Sequence, residues 1–160
     1  MATEKLKFKL ELYATMWDKP PHAEILINDV SHFNGGIKST VEKPTLIEFE
    51  HELKENEHYN LIIKRSGKHV NQTITNNDGN LLKDQLLHIK SIEIDDINIG
   101  ALVYEGVYTP QYPEPWATQQ RELGNELEQS FKNVVAMGHN GEWRFAFGSP
   151  FYMWLLENLY

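Results

Sequence analysis

The N-terminal segment alternates apolar and polar residues with a period of two, and this pattern restricts the possible folds more than any other feature of the chain. The apolar members are Leu6, Phe8, Leu10 and Leu12. The polar members are Lys5, Lys7, Lys9 and Glu11. Because successive side chains of a β-strand point to opposite faces, the segment predicts a strand with one buried face and one wet face.

Short apolar runs separated by turn residues continue along most of the chain. They predict further strands over residues 23–30, 37–41, 45–53, 58–65, 86–94, 97–107 and 143–147. Asn34-Gly35-Gly36 is typical of a turn between the first two of these strands. Within 86–94 the apolar phase changes between Ile89 and Ile92, which predicts a β-bulge.

Two connections are typical of hairpins. The polar segment 54–57 is short enough to join its flanking strands directly, and such a hairpin could bring His51 and His58 together. Asn140-Gly141 favours a tight turn between Val134-Val135 and the strand that carries Trp143.

Two segments predict helices. Residues 118–129 are rich in Gln and Glu, although Gly124 weakens that helix. Ser149-Pro150 is typical of a helix start and predicts a terminal helix over 150–159. We therefore expect one mainly β domain over residues 1–160. It would be an antiparallel β-sandwich or jelly roll over about 5–148, with a short C-terminal helix.

Composition excludes several kinds of chemistry. The chain has 160 residues and no cysteine, so disulfides, zinc-thiolate sites and thiol catalysis are excluded. A net charge of −8 repels phosphate and anionic lipid, which argues against nucleic acid or membrane as a partner. There is no apolar run of the roughly 20 residues that cross a bilayer, so we expect a soluble protein.

The strongest loop in the sequence, residues 76–80, carries candidate metal ligands. Asp78 lies in it and Asp84 follows six residues later, and calcium prefers such carboxylate and amide oxygens. The alternative is a solvated turn held by its own side chains. We take Asp78 and Asp84 as candidate calcium ligands and Asn77 as a candidate ligand-binding residue.

Several aromatic residues lie in or near predicted turns, including Trp17, Tyr108, Tyr112 and Trp116. Exposed rings of this kind can stack on the faces of sugars. Trp116 is therefore a candidate ligand-binding residue, and packing in the core or at an interface is the alternative.

The middle of the chain resembles the calcium-dependent xylan-binding carbohydrate-binding modules. The resemblance rests on His58–Ile62, Thr75-Asn76-Asn77-Asp78-Gly79, Asp84-Gln85-Leu86 and Ile92-Glu93-Ile94-Asp95. It implies a jelly roll with calcium near Asp78 and Asp84 and a sugar hydroxyl on that ion. This chain departs from those modules at Asp84-Gln85-Leu86, which stands where they have Asp-Arg-Asn-Leu.

The C-terminal sequence, from Asn140-Gly141-Glu142-Trp143 through the segment 149–159, resembles the ending of small proteins of tailed bacteriophages, including cyanophages. That resemblance implies a virion component assembled in the host cytoplasm, with other virion proteins or itself as partner. The assembly surface would consist of the apolar terminal helix and the segment 110–116, whose prolines predict an extended chain. Its expected helix residues are Phe151, Trp154, Leu155 and Leu159.

Three functions follow from these observations. The first is a non-catalytic virion structural or accessory protein with a carbohydrate-binding-module-like jelly roll. The second is a calcium-dependent, lectin-like carbohydrate-binding protein. An enzyme acting on glycans is the third and is the least favoured, since no nucleophile with an adjacent base is visible in the sequence.

Overall fold

The computed structural model describes residues 2–15, 19–67, 74–75, 81–83, 85–112 and 114–159. The strands are β1 (Thr3–Thr15), β2 (His22–Ile27), β3 (Val30–Gly36), β4 (Thr45–Lys54), β5 (His58–Ser66), β6 (Ile74–Thr75), β7 (Leu81–Lys83), β8 (Leu86–Ile94), β9 (Ile97–Asn98), β10 (Val107–Pro110), β11 (Ala136–Met137) and β12 (Gly141–Gly148). The helices are α1 (Trp116–Glu122), α2 (Phe151–Leu159) and a 3₁₀ helix, Gly100–Glu105.

Two antiparallel sheets form the body of the protein. One has the order β11-β8-β1-β4, with β9 paired to β8. The other has the order β10-β12-β5-β2-β3, and β6 and β7 form a separate ribbon. The predicted antiparallel β-sandwich with a short C-terminal helix is therefore confirmed.

The core lies between the two sheets. The alternating apolar residues of β1, Leu6 to Leu12, are all buried, as the period-two pattern predicts. The ring centroid of Phe8 lies 6.1 Å from that of Phe147 on the opposite sheet. Full burial of each such side chain contributes about 1.5–3 kcal/mol to folding.

The predicted β-bulge is present in β8. Leu10 of β1 pairs with Ile92, whereas Leu12 pairs with Ile89, so β8 has one residue more than β1 over this interval. Because this extra residue shifts the alternation by one, the side chains of Ile89 and Ile92 both point into the core, and both are buried.

Neither predicted hairpin forms. β4 pairs with β1, whereas β5 pairs with β2 and β12, so the connection 55–57 crosses from one sheet to the other. β11 pairs with β8 and β12 pairs with β5 and β10, so Asn140-Gly141 also joins the two sheets. His51 consequently contacts His32 of β3 and not His58.

The first hairpin turns earlier than predicted. Asn28 and Asp29 divide the segment 23–30 into β2 and the start of β3, and Asn28 has a φ of 52°. Its side-chain oxygen accepts a hydrogen bond of 2.9 Å from the backbone N–H of Asn60, which stabilises the turn. Asn34-Gly35-Gly36, predicted as a turn, is the last part of β3. Residues 37–41 are described and form no strand, so that predicted strand is absent.

Two further segments differ from the predictions. The segment 97–107 contains β9 and the 3₁₀ helix, and β10 begins only at its last residue. Helix α1 begins and ends earlier than the predicted 118–129. Gly124 follows it with a φ of 84°, a left-handed conformation that stops a helix.

Helix α2 confirms the predicted terminal helix, but its N-terminus is bound by a distant side chain. The Glu4 carboxylate accepts hydrogen bonds from Ser149 Oγ at 2.5 Å and from the Phe151 backbone N–H at 2.7 Å. The first N–H of the helix, that of Phe151, donates to Glu4, so this distant carboxylate caps the helix where the sequence predicted the hydroxyl of Ser149. This contact places α2 over the end of the sandwich where β1 begins.

The inner face of α2 belongs to the core of its own chain. Phe151 and Leu155 are buried, and the Trp154 ring meets that of Phe145 edge-on with centroids 5.7 Å apart. These residues, expected on an assembly surface, are turned inward because the helix packs on β12, and the Leu159 side chain lies outside the described part of the chain. The exposed apolar residues of α2 are Tyr152, Met153 and Leu156. No helix in the described ranges is long and apolar enough to cross a membrane.

Candidate functional site

A buried arginine organises the end of the sandwich opposite α2. We call this the loop end: β1, β5 and β10 finish there, and β8 and β12 begin there. The Arg65 guanidinium donates to the backbone oxygen of Gln85 at 2.7 Å, to Gln85 Oε1 at 2.5 Å and to Asn140 Oδ1 at 2.8 Å. Gln85 Nε2 donates to the backbone oxygen of Lys19 at 2.7 Å. One side chain therefore fixes three connections of the loop end.

Three rings meet beside this network and form what we call the aromatic corner: Tyr112, Trp116 and His139. The Tyr112 centroid lies 6.1 Å from that of Trp116 and 5.2 Å from that of His139, and the latter two are 5.9 Å apart. Trp116 is 38% exposed and begins α1. The predicted ligand-binding tryptophan therefore presents ring surface to solvent.

Hydrogen bonds hold the aromatic corner in place. Buried Tyr108 donates from its hydroxyl to the His139 backbone oxygen at 2.5 Å and accepts from the His139 N–H at 2.9 Å. The Tyr112 hydroxyl donates to the Glu128 backbone oxygen at 2.6 Å. Burial, followed by the charge of Glu128, raises the pKa of Tyr112, so its phenol stays protonated and keeps donating.

A pocket of about 330 Å³ adjoins the aromatic corner and shares Tyr112 with it. The Glu114 carboxylate has Arg121 NH1 3.9 Å from one oxygen, and Thr118 Oγ1 donates to the other. This ion pair is more than half exposed, so it adds little to stability and stays accessible to a ligand. The pocket is lined by Thr109, Pro110, Tyr112, Glu114, Ala117, Arg121, Leu127 and Gln129.

The combination suits a molecule with flat apolar faces and hydroxyl-bearing edges. An indole face contacts C–H groups, a carboxylate accepts from hydroxyls, and a guanidinium donates to them. These are the contacts that orient polar ligands in protein pockets.

The predicted calcium ligands cannot be placed in this geometry. Asn77, Asp78 and Asp84 lie outside the described residues. Within the described ranges, no group of three or more His, Asp or Glu side chains is arranged to hold a metal ion. Gln85, which follows Asp84 in sequence, is fixed by Arg65 at the loop end.

Some residues of the site gave no sequence signal. Arg65 resembled any polar strand residue, and His139 was one of seven histidines with no pairing pattern. Tyr112 lies in the proline-flanked segment 110–116, and its contact with His139 depends on the fold. Among the other aromatic candidates, Tyr108 is buried and Trp17 lies outside the described residues.

The fold is similar to that of a calcium-dependent carbohydrate-binding module. The similar structure is the selenomethionine form of vCBM60, described with a circular permutation that links two families of such modules. It matches with a TM-score of 0.50 and 7% identity over 88% of this chain and 89% of that one. A second structure, vCBM60 in complex with galactobiose, has a TM-score of 0.47 and 7% identity over 87% and 96%. No family model and no curated protein matches the sequence.

Proposed function

We propose that the protein is a non-catalytic carbohydrate-binding protein, acting as one domain of residues 1–160, with its ligand face at the loop end. The observation that carries this proposal is the exposed Trp116 ring, held beside Tyr112 and His139 next to a polar pocket. The fold likeness to a carbohydrate-binding module supports it.

Binding rests on preformed contacts. Tyr108 and Glu128 hold His139 and Tyr112 through backbone oxygens, so the aromatic corner needs little ordering when a sugar arrives. Preorganisation of this kind increases affinity by reducing the entropy lost on binding. The Trp116 face then contacts the C–H groups of one sugar ring.

Calcium forms the second element of this proposal. Asp78 and Asp84 would hold the ion, with Asn77 contributing to ligand binding, and calcium would supply a positive centre for sugar hydroxyls. The position of Gln85, next in sequence to Asp84, supports a location at the same end as Trp116.

Calorimetry with neutral disaccharides tests the sugar-binding role. We expect Trp116→Ala to reduce affinity at least about tenfold, because buried aromatic anchors carry much of the binding energy. The matched control is Tyr152→Ala, which removes an exposed ring at the opposite end of the sandwich and should leave affinity unchanged. Equal affinities for Trp116→Ala and the wild type would refute the assignment of the loop end.

A second pair of variants tests the metal. Asp78→Ala and a chelator should each abolish sugar binding, whereas Asp29→Ala, in the exposed turn between β2 and β3, should have no effect. Sugar binding that persists in the chelator would remove calcium from the proposal and leave the aromatic corner in it.

Assembly into a virion is the second candidate function, and one observation favours an assembly role. The outer face of α2 exposes Tyr152, Met153 and Leu156, and a set of exposed apolar residues on one helix is typical of a contact surface. The partner at this face would be a second copy of the chain or another bacteriophage protein in the host cytoplasm. If the chain associates with itself, Leu156→Asn should lower the oligomer mass measured by light scattering. A wild-type chain that stays monomeric at high concentration would exclude self-assembly.

A further inference from the structure

The pocket beside the aromatic corner differs from the corner in chemistry. The corner offers the flat face of Trp116, whereas the pocket offers the paired charges of Glu114 and Arg121. Tyr112 belongs to both. A ligand lying on the aromatic corner can therefore extend into the pocket without leaving the protein surface.

The size and lining of the pocket restrict what it accepts. Its volume of about 330 Å³ lies at the lower end of the range for ligand sites, which suits about one sugar ring. Ala117 and Leu127 provide an apolar wall, and Gln129 adds an amide to the polar side.

Charge around the pocket disfavours an anionic ligand. Arg121 is already matched by Glu114, and Glu128 lies close enough to Tyr112 to act on it electrostatically. The chain as a whole carries a net charge of −8. A uronic acid entering here would place its carboxylate against Glu114. The cation of the pocket lining, Arg121, is already paired with Glu114 and so would not offset this repulsion.

Resting on the proposed function, we propose that this pocket is a second sugar subsite that takes a neutral pyranose unit next to the one on Trp116 and rejects uronic acids. Glu114 accepts hydrogen bonds from two ring hydroxyls, while Arg121 and Gln129 donate to others. The protein therefore recognises neutral oligosaccharides of two or more units.

Calorimetry on the full chain tests this subsite. The neutral disaccharide probes are galactobiose, cellobiose and xylobiose. The one-unit probes are the methyl glycosides of the corresponding monosaccharides, and the acidic probe is digalacturonate. In Glu114→Ala and Arg121→Ala we expect disaccharide affinity to fall about tenfold, to the level of the methyl glycoside, because each variant loses hydrogen bonds to a charged group. Glu122→Ala, on the same helix but outside the pocket lining, is the matched control and should bind as the wild type does.

Failure of the subsite and failure of the proposed function give different results. If Trp116→Ala loses binding while Glu114→Ala and Arg121→Ala keep the preference for disaccharides, the subsite is wrong and the sugar-binding function stands. If digalacturonate binds more tightly than the neutral disaccharides, the selectivity is wrong. If the wild type binds none of the neutral sugars, both proposals fail.

Discussion

Nε2 of His32 lies 2.9 Å from Nδ1 of His51, and this hydrogen bond joins the edge strands β3 and β4 of the two sheets. The His32 ring also stacks on Phe49 with centroids 4.3 Å apart. One imidazole must donate and the other must accept, so the contact requires that at least one ring stays neutral. The closure of this edge therefore depends on pH.

Acidification is expected to destabilise the fold. Burial lowers the pKa of His32 and of His51, and the proximity of His51 lowers that of His32 further. Because both values lie below the unfolded value of about 6.5, the unfolded chain takes up protons first as the pH falls. Stability is fully present above that pH and decreases below it, so the Tm should be lower at about pH 5 than at about pH 7.5.

Variants of single histidines check this cause. His51→Gln removes one titrating ring and should reduce the pH dependence of the Tm measured by circular dichroism. His58→Gln, at an exposed position, is the control and should keep the wild-type dependence. His88, whose pKa burial also lowers, accounts for part of the remaining slope. An unchanged slope in His51→Gln would contradict the role of the pair.

Gly106 is expected to tolerate no side chain. A Cβ at this position would lie 2.2 Å from Cε2 of the fully buried Trp143 indole, and the ring cannot move away within the core. Gly106→Ala should therefore lower the free energy of unfolding by about 1–3 kcal/mol, the usual cost of overpacking. Urea denaturation measures this. Gly36→Ala, whose Cβ would make ordinary contact with Pro20 at 3.6 Å, is the control and should be nearly neutral.

Arg65 is expected to link stability to ligand binding. Arg65→Lys cannot reproduce a fork that reaches both Gln85 and Asn140, so the buried Gln85 and the half-buried Asn140 lose hydrogen bonds that the guanidinium donates. We expect a loss of about 2–4 kcal/mol in the free energy of unfolding and weaker sugar binding at the loop end. Arg144→Lys, in an exposed pair with Glu142, is the matched control and should cost less than about 1 kcal/mol. Equal effects of the two variants would contradict a structural role for Arg65.

Local patterns predicted the strands well where burial alone decides the side-chain direction. The alternation around Phe8 identified β1, and the phase change between Ile89 and Ile92 identified the bulge. Both signals are short-range, because the inward and outward directions repeat along one strand. The sandwich class followed from the number and spacing of such segments.

Partner choice could not be predicted in the same way. The predicted hairpin between β4 and β5 was wrong because β5 lies in the facing sheet. The polar turn around Asn56 suits both a return to the same sheet and a crossing to the other one, so its residues do not distinguish the two. The site shares this limit: Trp116 was found from its position near a turn, but its contact with His139 depends on β10 and β12 lying side by side. The missed turn at Asn28-Asp29 did carry a local signal, since Asn-Asp between two apolar runs favours a two-residue hairpin.

The β4–β5 and β11–β12 connections both cross from one sheet to the other, and this has a consequence for synthesis of the chain. Among the described residues β12 is the last strand in chain order, yet it lies between β5 and β10 and pairs Trp143 with Ile63. A nascent chain that ends before residue 141 therefore leaves one side of β5 unpaired, with Leu61 and Ile63 lacking their cross-strand partners Phe145 and Trp143. Such an edge is prone to pair with other chains, so aggregation during translation should compete with folding until β12 leaves the ribosome.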